Sequence, residues 1–179
     1  MNTSALSVAL SQLLGPNANY VVCAADTAEQ VIEMNRFPIY CIQNTDPISS
    51  PGQHWIAWII HSKTKAEMFD SFGAPWWSYP AVRIPVKYVT EENRIQLQSD
   101  ESNYCGLWCL RYLHDRYQGR SYRQFLSQFG KNFMYNDFKI LKWSQKALFM
   151  FNPSTIYDKS LKNQTCIRKF LNNHSNSYK

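Results

Sequence analysis

The spacing of apolar residues changes twice along this chain, and each change marks a different element. In "SALSVALSQLL", Leu6, Leu10, Leu13 and Leu14 recur at steps of three and four, which predicts an amphipathic first helix. Short apolar runs follow. "NYVVCA" predicts a short strand, "TAEQVIEMN" a short helix capped by Thr27, and "FPIYCIQN" a buried strand. "TDPISSPGQ" has the Pro, Ser and Gly content of a loop. "HWIAWII", "HSKT" and "KAEMFDSFG" then read as a hairpin with a polar turn. "VRIPVKYVT" and "RIQLQS" predict two further extended segments. From Tyr104 the period becomes helical, with Leu107, Leu110, Tyr112, Leu113 and Tyr117 on steps of three and four. "SYRQFLSQFG" predicts a helix capped by Ser121 and stopped at Gly130, and "NDFKILKWSQKALFMFN" another that ends before Pro153. The sum is an α+β fold, a small central mixed sheet flanked by helices. It forms one domain over residues 1–158, with 159–179 a basic, loosely ordered tail.

A chain of 179 residues with 45% hydrophobic and 15% aromatic content is able to bury a real core. It lacks the apolar run of about 18 residues that a membrane span needs. Its N-terminus is no signal peptide by pattern, since a basic start is missing and Ser and Gln interrupt the apolar positions. Five cysteines, an odd number without a CxxC pair, argue against a disulfide scaffold and a structural zinc site, and for a reducing compartment. Charge is uneven. Residues 1–138 carry 11 Lys+Arg against 12 Asp+Glu, whereas residues 139–179 carry eight basic groups against Asp158 alone. A basic end on a near-neutral body suits an electrostatic partner such as nucleic acid.

The chemistry centres on "SNYCGLWCLRYLHDRY". A thiol becomes a strong nucleophile only as thiolate, and a helix N-terminus favours that form. Cys105 stands at such a start, with Cys109 one turn further in and facing the buried stripe. A thiolate also needs a base, and the base needs an acceptor to orient it. Of the four histidines, His174 is in the tail, His114 lies too far along the helix, and His61 is in the hairpin turn. His54 opens the first hairpin strand. Pairing Ile60 with Ala66 sets His54 across from Asp70–Phe72, so Asp70 is its nearest carboxylate. Glu67, nearer the turn, is expected in solvent. Gln96 and Gln98, shortly before the thiol, offer an amide donor for an oxyanion beside the Cys105 N–H. The chain order is His, Asp, Gln, Cys, with papain-like logic in a different sequence order.

Three segments carry a resemblance to the adenovirus protease (adenain) family, which shares its fold with the SUMO-specific proteases. "GQHWIAWI" resembles the family's His-Trp strand, "MFDSFG" its acidic strand, and "QSDESNYCGLWCLRYL" its Gln-then-Cys-Gly segment, over residues 37–117. The resemblance implies His54 as base, Asp70 as its orienting acid, Gln98 as oxyanion donor and Cys105 as nucleophile. Trp55 would be the substrate-side tryptophan. It implies a cysteine endopeptidase that cuts viral or virus-like precursor proteins beside small, Gly-containing sites, in the host nucleus or the virion. A monomer without a required cofactor or metal is expected, with DNA, through the basic C-terminal segment, and a short peptide as candidate activators. Adenain usually has Glu at the acidic position, whereas the SUMO proteases have Asp, as here. Adenain also links its peptide through a cysteine between the acid strand and the Gln, and none stands between Asp70 and Cys105. Two rival readings are an isopeptidase for a ubiquitin- or SUMO-like modifier and a non-catalytic DNA-binding virion protein.

Overall fold

A computed structural model describes residues 1–27, 31, 36–83 and 86–148. Helix α1 (Thr3–Leu14) starts where the Asn2 side chain accepts the Ala5 N–H at 2.9 Å, and it buries Leu6, Ala9, Leu10 and Leu14. Strands β1 (Asn19–Cys23), β2 (Ile39–Asn44), β3 (Trp55–Ser62), β4 (Lys65–Phe69) and β5 (Tyr88–Glu92) form one sheet in chain order. The pairs β1–β2 and β4–β5 are parallel, and β2–β3 and β3–β4 are antiparallel. The sheet is therefore mixed. Helices α2 (Cys105–Tyr117), α3 (Tyr122–Leu126) and α4 (Phe133–Ala147) complete the domain.

The unbroken apolar run of β3 has a simple cause: this central strand is covered on both faces. Trp55, Ala57 and Ile59 share a core with Phe69, with α1, and with Leu107, Trp108, Leu110 and Tyr112 of α2. Ile56, Trp58 and Ile60 point the other way, into a second core with Ile39, Cys41, Met68 and Val82. Phe69 joins the first core to the helices, stacking on Tyr112 at 4.7 Å and meeting Phe125 edge-on at 5.2 Å.

The hairpin register is the expected one, with Ile60 opposite Ala66 and Ala57 opposite Phe69. Glu67 departs from expectation. It is buried, not solvated, because alternation along β4 turns positions 67 and 69 toward α2. There it takes two bonds from the Arg116 guanidinium (2.7 and 2.9 Å) and one from the Tyr112 hydroxyl (2.8 Å). "RIQLQS" is not extended either: residues 93–98 form an irregular loop. Strand β5 takes only the end of "VRIPVKYVT". The Ser121 cap holds as a full capping box, but α3 ends at Leu126, before Gly130. Helix α4 begins three residues earlier than predicted, with Asn132 as its cap. The expected helix over 27–35 lies mostly outside the described residues, as do the end of the α4 pattern and the whole 159–179 tail. Thr27 closes a short 3-10 turn with Ala24.

Burial alone would raise the Glu67 carboxyl, yet bonds from His61, Arg116 and Tyr112 outweigh it and hold the group down at about 2. A depressed carboxyl adds stability that is complete above its ordinary value of 4.5 and is lost as pH falls toward 2. Glu67→Gln should cost about 3 kcal/mol at neutral pH by stranding Arg116. Urea unfolding of the two proteins at neutral and acid pH checks this: their midpoints should converge as pH falls through that window.

Candidate active site

Antiparallel pairing brings the start of β3 and the end of β4 to one end of the sheet. His54 precedes β3 by one residue and Asp70 follows β4 by one, so the hairpin itself delivers both. The His54 Nε2 lies 2.7 Å from Asp70 Oδ1. Asp70 is fully buried and takes three more donors. The Phe72 N–H reaches Oδ1 at 3.0 Å, and the Ala74 N–H (3.0 Å) and the Tyr79 hydroxyl (2.6 Å) reach Oδ2. Its backbone is clasped by Asn93, whose Oδ1 accepts the Asp70 N–H at 2.9 Å and whose Nδ2 donates to the Asp70 carbonyl at 2.6 Å. Phe72 and Tyr79 also flank the imidazole, at ring separations of 5.0 and 5.8 Å.

Helix α2 crosses the first core and brings Cys105 to the same place. The thiol and the His54 ring interact, each shifting the other's protonation. With Nε2 held by Asp70, Nδ1 is the ring atom left for the sulfur. Backbone groups of Trp55 and Gly106 also favour the thiolate. Helix α1 passes so close that a Cβ on Gly106 would sit 3.2 Å from Leu6 Cδ2, tighter than normal contact. A glycine after the cysteine thus lets α1 lie against this helix start.

Burial works against charge on both partners. It would lower His54, but the bonds to Asp70 and then Cys105 overcome it and lift the imidazole to about 9. It would raise Cys105, but the His54 bond and charge overcome it and bring the thiol below its ordinary value. Cys109, one turn on, behaves oppositely. Burial pushes its thiol well up, and its Sγ donates to the Trp55 carbonyl at 3.3 Å, so it stays a neutral core group. Of the two cysteines in the motif, only Cys105 meets a base.

Gln98 is buried and fixed at both ends of its amide. The Ser71 hydroxyl donates to Oε1 at 2.7 Å, which leaves Nε2 as the donor end; Nε2 reaches the Ser102 carbonyl at 2.8 Å. A primary amide has two N–H groups, so one remains. The backbone of residue 98 is tied too, its N–H donating to the Ser71 carbonyl at 3.0 Å. Gln96, the other candidate amide, spends its Nε2 on the Gln98 carbonyl and on Asp100. The Cys105 N–H precedes the first helical bond of α2, which Trp108 makes to Tyr104. Trp55 lines a cleft of about 400 Å³ together with Asn2, Thr3, Cys23, Asn44 and Asp46. Among the described residues no cluster of His, Cys, Asp or Glu is arranged to hold a metal.

The structure therefore brings His54 and Asp70 into direct contact, sets Cys105 close enough to His54 to interact with it electrostatically, and ties Gln98 to the residue after Asp70. Ser71, Tyr79 and Asn93 were not singled out from the sequence. Ser71 stood inside "MFDSFG" and was the one with a visible signal, since it adjoins the acid. The chain matches no protein-family model and no curated protein.

A lowered Cys105 thiol beside a raised His54 imidazole favours the thiolate–imidazolium form. Iodoacetamide should therefore alkylate Cys105 at a pH below that of an ordinary thiol. In His54→Ala the onset should move up toward the usual thiol range. Rate–pH profiles of the two proteins check this, and coincident profiles would show that the imidazole does not sustain the thiolate.

Proposed function

We propose that this chain is a cysteine endopeptidase with the fold and mechanism of the adenovirus and SUMO-specific proteases. What supports the reading is the four-times-bonded Asp70 carboxylate that holds the His54 imidazole, with the Cys105 thiol at a helix start close enough for the two to shift each other's protonation. An oriented base next to an ionised nucleophile is the requirement for thiol acyl transfer.

In this mechanism the Cys105 thiolate attacks the scissile carbonyl. Negative charge moves to the carbonyl oxygen, where the spare Gln98 N–H and the Cys105 N–H receive it. The His54 imidazolium gives its proton to the leaving amine, and the first product departs. Neutral His54 then takes a proton from water as the water attacks the thioester, and Cys105 is released. Asp70 accepts from Nε2 throughout and keeps Nδ1 aimed at the sulfur. Trp55 and the cleft beside it receive the substrate chain on one side of the sulfur. Viral or virus-like precursor proteins cut near glycine, in the host nucleus or virion, follow from the resemblance of the three motifs.

One feature favours a second reading. The acid is Asp70 with Ser71 after it, and aspartate at this position resembles the SUMO-protease side of the fold. A vinyl-sulfone derivative of a ubiquitin-like modifier distinguishes the two: rapid labelling of Cys105 marks an isopeptidase, and none leaves the endopeptidase.

Cleavage of a Gly-Gly-containing peptide tests the main reading. Cys105→Ala should abolish it, while Cys109→Ala should leave turnover within a few-fold. Full activity without Cys105 would end the proposal. DNA is a candidate activator through the basic end, of which Lys139, Lys142 and Lys146 lie on α4. Deleting residues 159–179 should weaken DNA binding and flatten its dependence on salt concentration. Unchanged affinity would place any DNA contact elsewhere.

A further inference from the structure

The loop that carries Gln98 is held from behind by α4. Asp137, 2% exposed, points two carboxylate oxygens into it. Oδ2 accepts the Ser99 N–H at 3.0 Å, and Oδ1 accepts the Trp108 indole N–H at 2.8 Å. The Ser102 hydroxyl donates to the Ser99 carbonyl at 3.2 Å. Its neighbour Asn136 donates from Nδ2 to the Leu97 carbonyl at 3.1 Å. Ser99 and Ser102 are the two ends of one turn, closed by the Ser102 N–H on the Ser99 carbonyl at 3.1 Å. The Ser102 carbonyl is the group that Gln98 Nε2 donates to. A continuous path of hydrogen bonds thus runs from Asp137, through the turn, to the amide nitrogen of Gln98. Trp108 adds the other half of the placement, because it belongs to the helix that begins at Cys105.

We propose that Asp137 is a positioning residue for the oxyanion donor, fixing the Gln98 loop to the helix that presents Cys105. This rests on the protease reading above.

A buried carboxylate without a cationic partner is costly, so a neutral residue would be expected here unless an acceptor is required. Two donors converge on this point from two separate segments. Only an ionised carboxylate accepts both without presenting a donor of its own. Burial lifts the Asp137 carboxyl to about 6, against the bonds from Trp108 and Ser99, so the group is ionised at neutral pH. Asn has nearly the same shape but must turn its NH2 toward the Ser99 N–H or the Trp108 indole. It would disturb the loop without opening a cavity.

The experiment compares peptide hydrolysis with alkylation of Cys105 by iodoacetamide, using the full chain. Alkylation needs the thiolate and His54 but develops no oxyanion, so it does not need Gln98. Asp137→Asn should lower kcat by about tenfold or more, with KM and the alkylation rate within roughly twofold of the parent protein. In a Gln98→Ala background the same change should add less than about twofold, because both act through one donor. An unchanged kcat overturns the proposal, as does an equal loss of alkylation and hydrolysis, or full multiplication of the two effects. If Asp137→Asn does not fold by circular dichroism, Ser102→Ala decides. It removes the hydroxyl that fastens the same turn to the Ser99 carbonyl, from a partly exposed side chain. A fall in kcat of about threefold or more with unchanged alkylation supports the proposal, and no fall overturns it. A parent protein that cleaves no peptide sinks the protease reading and this inference together. A cleaving parent with an equally fast Asp137→Asn sinks the inference alone.

Discussion

Four donors converge on the Asp70 carboxylate, and the candidate site is organised around that convergence. Two are backbone N–H groups of the turn that follows β4, one is the Tyr79 hydroxyl, and the last is the His54 ring. A lone carboxylate at this depth would be costly. Here every direction of approach is occupied, so the carboxylate has one orientation, and the imidazole bonded to it has one as well. The clasp from Asn93 extends the same constraint to the Asp70 backbone. What reaches Cys105 is therefore a ring whose tilt and tautomer are set from behind.

The second partner is located by different means. Cys105 is at the end of a helix, and that end moves with the whole helix. Helix α2 is fixed along its length by the first core, where Trp108, Leu110, Tyr112 and Leu113 are fully buried. Polar fastenings lie to either side of this apolar middle. Toward the C-terminal end, Arg116 and Tyr112 hold Glu67 of β4. Toward the N-terminal end, Trp108 holds Asp137 of α4. Because Asp70 directly follows β4, the Glu67 bonds tie the helix that begins at Cys105 to the strand that leads into Asp70. One sheet element thereby references both halves of the site.

Much of this arrangement was legible in the sequence, and the reason is periodicity. The hairpin has a short turn, so pairing Ile60 with Ala66 was enough to bring His54 and Asp70 together, as they are at 2.7 Å. The helical period from residue 105 identified the element that carries Cys105. Failures came where no period applies. Glu67 looked solvated because it is charged and near a turn, but its burial depends on Arg116, 49 residues away. The loop over residues 93–98 was read as a strand from its alternation, yet its groups are spent elsewhere. The Leu97 and Gln98 N–H groups both turn to the Ser71 carbonyl. Ser71 and Asn93, from irregular segments, and Asp137, from α4, act across separations of 27, 23 and 38 residues, and such contacts leave no local pattern.

The two buried carboxylates that flank α2 show how environment, and not residue type, assigns their roles. Both are nearly inaccessible and both accept more than one bond. Glu67 faces a guanidinium, and the favourable charge outweighs burial, so its carboxyl falls to about 2. Asp137 faces an indole and a backbone N–H. Neither of these carries charge, burial prevails, and its carboxyl rises to about 6. The first arrangement is a strong cross-link between strand and helix. The second is weaker as a cross-link, since its ionised form is held at a cost, but it gathers donors from a loop and a helix. A fold that needed only cohesion there would do better with an apolar contact. The acceptor fastens the turn that holds the Gln98 amide to the helix that begins at Cys105.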